Sequence, residues 1–169
     1  MSVSPSNSTH GNVPQWATPT LTLSRAILYA TLVVGALDAL DGVIFFGLHG
    51  QNPIQVLQFI ASGVLGASAF SGGLAAAGVG VLVHFAITAV VVAIFILASQ
   101  RMPVLRSQWQ IFGLVYGAAV WAVMNLIVLP HTAVAPRSIT TAAALNGIIG
   151  HAMFVGLPSA FFASRVRAA

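Results

Sequence analysis

The chain has 169 residues, 58% of them hydrophobic and only 5% charged, with a mean hydropathy of +0.97. A soluble domain carries about a quarter of its residues as charges, so this composition excludes one and fits a single all-α membrane domain over residues 21–169. The +4 balance comes from scattered arginines, too sparse for nucleic-acid binding, and the lack of cysteine excludes disulfides, thiolate metal sites and cysteine nucleophiles.

Residues 1–20 are rich in Ser, Thr, Asn and Pro, which predicts a flexible tail with Trp16 near the interface. A cleaved signal peptide is not expected, because the tail lacks a basic segment and Asp38 stands where a small-residue cleavage site would lie. Four stretches are long and apolar enough to cross about 30 Å of hydrocarbon as helices: 26–48, 74–99, 109–129 and 141–164. Between the first two lies 53–70, apolar but interrupted by Gln55, Gln58, Ser62 and Ser68 and followed by Ser71-Gly72-Gly73. It reads as a short interfacial or re-entrant helix, with a fifth span as the competing reading.

Arginine placement separates the two readings. With four spans, Arg25, Arg101, Arg106, Arg165 and Arg167 fall on one side and Arg137 on the other, which puts both termini in the cytoplasm. A fifth span would move Arg25 away from the rest. The expected location is a bacterial inner membrane, bacterial on the strength of the Ala/Gly/Val-rich, lysine-free composition. Under this topology the Asn7-Ser8-Thr9 sequon is cytoplasmic and carries no signal.

Gly113 and Gly117 form a G-x-x-x-G in the third long stretch, a pattern that lets helices approach closely within this chain or with a partner. Asp38 and Asp41 are the only acids, and both lie inside the first apolar stretch. A carboxylate at the centre of a span opposes insertion by about 2.5–3.5 kcal/mol, so the fold must compensate both. Counting from the outer end of each span at 1.5 Å per residue, Asp38, His84 and His151 lie about 15 Å deep, Asp41 about 10 Å, and Asn125 and Asn146 about 8 Å. These six residues form the expected polar layer, confined to the outer half of the membrane.

Asp38 and Asp41 share one helical face, and two carboxylates so close resist simultaneous ionisation, with His84 and His151 as proton partners. The same six residues also have a purely structural reading, as hydrogen-bonding groups that fix the register of helices in lipid. His49 and His131 fall at loop junctions and His10 in the tail, where solvation suffices. Asp38, Asp41, His84 and His151 are chemically suited to a divalent metal, but no closely spaced ligand motif supports one, so the metal question stays open. No serine has the context of a nucleophile, no cofactor is called for, and no catalytic residue is assigned.

From His84-Phe85 onward, the order of Met102-Pro103, Gly113-Leu114-Val115-Tyr116-Gly117, Pro130 and Gly150-His151 resembles a group of small bacterial inner-membrane proteins of the YagU acid-resistance type. The resemblance covers about half the chain, excludes the Asp38/Asp41 region, and implies an inner-membrane location and a link to acid stress. Two functions are carried forward: a proton-responsive protein of proton or small-solute transport, and a non-catalytic structural or accessory subunit. The expected partners are the lipid bilayer and either a second copy or another membrane protein; a metal-dependent enzyme ranks lowest.

Overall fold

The computed structural model describes residues 21–135 and 138–167, so the expected tail and Arg137 lie outside the described residues. Among the described residues the fold is all-helical: α1 (Leu23–Leu48), α2 (Pro53–Leu65), α3 (Gly73–Arg101), α4 (Val104–Ser107), α5 (Trp109–Val123), α6 (Thr141–Gly150) and α7 (Leu157–Ser164). A 3₁₀ stretch, Gly66–Ser71, extends α2. A π-helical turn, Met124–Val128, and a 3₁₀ turn, Leu129–His131, extend α5. A second π-helical turn, His151–Gly156, joins α6 to α7.

Local chemistry accounts for these boundaries. α2 starts on a capping box in which the Asn52 side chain accepts from the Gln55 N–H and Gln55 accepts in return, with Pro53 at the first helical position. It ends at Gly66, whose φ of +62° is open to glycine and strained for other residues. Thr140 caps α6 by accepting from the Ala143 N–H. Each π-helical turn stands just before a proline, Pro130 or Pro158. Proline has no N–H to give the carbonyl four residues back, and its ring presses on that carbonyl, so the preceding turn widens.

Five helical units are long and apolar enough to cross a membrane: Leu23–Leu48, Pro53–Ser71, Gly73–Arg101, Trp109–His131 and Thr141–Ser164. Four contain the expected stretches. Pro53–Ser71 is the shortest of the five at 19 residues, an α-helix to Leu65 and a 3₁₀ stretch from Gly66, which is compatible with four long helices and one short.

Pairing shows how the units run. Gly35 of α1 meets Phe85 and His84 of α3, and Ala26 and Ala30 share a buried cluster with Phe95 and Ile96, so α1 and α3 are antiparallel. Tyr116 of α5 donates to the Val91 carbonyl of α3 at 2.7 Å. Gly113 packs on Leu157 and Ala160, and Gly117 on His151 and Ala152, which sets α5 antiparallel to the last helical unit. A side chain at Gly117 would collide with the His151 carbonyl, and one at Gly156 with the Gly113 carbonyl. The small face read from the sequence is therefore filled within this chain.

The two ends of the described chain meet: Leu21 N–H donates to the Arg165 carbonyl and Arg167 N–H to the Leu21 carbonyl, both at 3.0 Å. These antiparallel pairs bring Arg25, Arg101, Arg106, Arg165 and Arg167 to one end. Leu57 and Gln58 of α2 lie against Gly80 and Gly73 of α3. Outward-facing Leu28, Leu40, Leu82, Ile94, Val115, Leu126 and Ile149 are all exposed, an apolar exterior suited to lipid.

Candidate functional site: a polar cavity in one half of the bundle

The two halves of the bundle are packed differently. At the arginine end, small and branched side chains close the interior: Ala26, Ala30, Val34, Val92, Ile96, Ala160 and Ala163 have no exposed surface. Beyond this plug the helices part around a cavity of about 330 Å³, partly open. Asp38, Asp41, His84, Asn125, Asn146 and His151, the six residues of the expected polar layer, all line it.

Each of the six meets a specific neighbour. His151 Nδ1 lies 3.6 Å from Asp38 Oδ1, an ion-pair distance slightly beyond a direct hydrogen bond, with the two side chains 23% and 20% exposed. Asn146 Nδ2 donates to Asp41 Oδ2 at 3.1 Å, and the carboxylate lies against Gly150, where a side chain would strike it. His84 is buried and its Nε2 donates to the Gly35 carbonyl at 2.9 Å, one turn below Asp38. Asn125 Nδ2 donates at 3.0 Å to the Trp121 carbonyl of its own helix, at the entrance to the first wide turn.

These six groups line one cavity, while the partners differ from those expected. His84 faces the Gly35 backbone rather than a carboxylate, and Asn125 satisfies its own helix. Only His151 and Asn146, both from the last helical unit, reach the acids. No group of three His, Asp or Glu side chains among the described residues is close enough to hold a metal ion. His49 and His131 each bond a carbonyl one turn back, Phe45 and Ile127, and are exposed at the open end.

Several wall residues carried no signal in the sequence. Trp121 lines the cavity with its indole against Gly147, one turn from Gly150 and Asp41. Thr88 lines it with its hydroxyl returned to the His84 carbonyl at 2.9 Å. Val56, Phe59, Ile60 and Gly63 of α2 form the wall at the open end. The Gly63 carbonyl accepts the Ala133 N–H at 3.2 Å, which ties α2 to the chain leaving α5. The available clue was the i, i+3, i+4, i+7 spacing of Val56, Phe59, Ile60 and Gly63, which puts them on one helical face. A scan against family models and searches of curated proteins and of solved structures find no match to this chain.

Proposed function

We propose that this is a four-span protein of a bacterial inner membrane, both termini cytoplasmic, whose outward-facing cavity binds a small solute in a proton-dependent way. The observation that carries the reading is the division of the bundle: ionisable groups around a cavity in one half, a solid apolar plug in the other. Intramembrane acids are costly and line solute or proton pathways far more often than they serve packing alone. The groups facing the carboxylates are His151 and Asn146 from the last unit, with His84 on α3 and Asn125 beside them, and among the described residues no lysine or arginine lines the space.

Four spans with a re-entrant Pro53–Ser71 are supported by the antiparallel pairing of α1 and α3, which leaves that unit beginning and ending at one level. Collection of the arginines at the other end supports cytoplasmic termini. An acid-stress setting, carried by the YagU-type resemblance, is consistent with acids and histidines reachable from outside. The alternative of an accessory subunit docking through Gly113 and Gly117 is weakened because the chain's own last helical unit fills that face.

The test is proton movement in liposomes. Purified protein should accelerate collapse of an imposed pH gradient, and Asp38→Asn with Asp41→Asn should remove the acceleration while the protein stays folded. Wild-type protein that leaves the gradient untouched, or a double variant as active as wild type, sinks the reading.

A further inference from the structure

The cavity wall narrows the class of solute. Its volume of about 330 Å³ far exceeds what protons and a few waters need, and stands at the small end of pockets that enclose organic ligands. Its charge is one-sided: Asp38 and Asp41 face it, a histidine near Asp38 is the nearest basic group, and among the described residues no arginine or lysine contributes. An anion would meet two carboxylates without a compensating cation. A neutral apolar molecule would desolvate those carboxylates and return nothing to them. Bare metal ions lack a ligand set among the described residues.

The remaining wall is apolar and aromatic. Trp121 stands one helical turn from Asp41 along α6, since its indole packs on Gly147 and the carboxylate on Gly150. Phe46 and Phe59 line the same space. A carboxylate beside aromatic rings is a combination that holds an alkylammonium group, the charge attracted by both and the apolar body covered by the rest.

We propose that the cavity binds a small lipophilic organic cation, its charged nitrogen held at Asp38 and Asp41 and its apolar body against Trp121. This deepens the preceding reading of the cavity, and its test is a binding measurement that requires no flux. The probe is benzyltrimethylammonium, whose charge does not depend on pH, equilibrated with protein in lipid nanodiscs, empty nanodiscs being subtracted. Neopentylbenzene, of the same shape but uncharged, and phenylacetate, an anion, serve as comparisons.

Wild-type protein should bind the cation saturably, with the neutral and anionic probes weaker by at least about tenfold, and loss of both charges in Asp38→Asn/Asp41→Asn should weaken the cation by a similar factor. Gly78→Ala, at a position with nothing within 4 Å, should bind as wild type does. The charge series on wild type needs no variant to fold. The proposal is overturned if the neutral probe binds as tightly as the cation, if the cation shows no saturable binding, or if the folded double variant retains wild-type affinity. Should cation binding fail while Asp-dependent proton flux persists, the solute class is wrong and the proton-linked reading survives. Should flux fail while the cation binds, the reverse holds.

Discussion

At the scale of single residues, the two acids differ in how they are held. Asp41 accepts from Asn146 and rests on Gly150, while Asp38 stands opposite His151. Replacing Asp41 by Asn keeps the shape and relieves the cost of a half-buried charge, whereas Leu leaves Asn146 without its partner. Asp41→Asn should therefore match or exceed wild type in thermal stability in detergent, and Asn146→Ala should cost about 0.5–2 kcal/mol, the range for interhelical hydrogen bonds in membranes. Marked loss of stability in Asp41→Asn would assign the charge a structural role instead. Close approach gives a second contrast. Gly117→Leu must push the His151 backbone away and should cost about 1–3 kcal/mol or more, while Gly78→Leu meets open space and should be neutral or stabilising by up to about 1 kcal/mol. Equal melting temperatures for the two variants would contradict the packing described.

At the scale of elements, the wide turn His151–Gly156 decides which way His151 faces. A π-helical turn advances the chain by more residues per revolution than an α-turn, so it rotates everything before it relative to everything after it. With Gly113 and Gly117 fixing the contact to α5, this rotation lets His151 reach Asp38 while Ala160 and Ala163 remain in the plug. Pro158→Ala restores an N–H that can reach the Phe154 carbonyl and favours an ordinary α-turn. In the cysteine-free chain, a pair of cysteines replacing Asp38 and His151 should be joined efficiently by a short bifunctional thiol reagent. The Pro158→Ala background should lower that yield; an unchanged yield would show that the turn is held by packing rather than by proline. The depth count could not contain this, because counting along an axis assumes one uniform helix.

At the scale of the whole molecule, the bundle has one closed end that carries the arginines and one hollow end covered by α2. Single cysteines report the topology directly, since none occurs naturally. Cysteines replacing His49 and Ser71 should be labelled by an impermeant maleimide from the same side of the membrane, and one replacing Ser107 from the other. Labelling of the His49 and Ser107 positions from one side, with the Ser71 position on the other, would establish Pro53–Ser71 as a fifth span. The packed plug also sets an expectation for transport: passage from the cavity to the arginine end requires Ala26, Ala30, Ile96 and Ala160 to separate, so any flux proceeds by rearrangement rather than through a standing pore.

What the sequence determined by itself is the helical, apolar character of the chain and the position of its long helices. These depend on quantities that add up along one segment: transfer free energy, satisfied backbone hydrogen bonds and a rise of 1.5 Å per residue. Tertiary structure alone decided that His84 turns to the Gly35 carbonyl, that Asn146 and His151 take the two acids, that Gly113 and Gly117 are covered from within, and that α2 walls a cavity. Those outcomes depend on the rotation of each helix about its axis. Rotation is set by backbone contacts at Gly117 and Gly156, which join two segments, and by two widened turns whose prolines are local but whose effect on facing shows only once the helices pack.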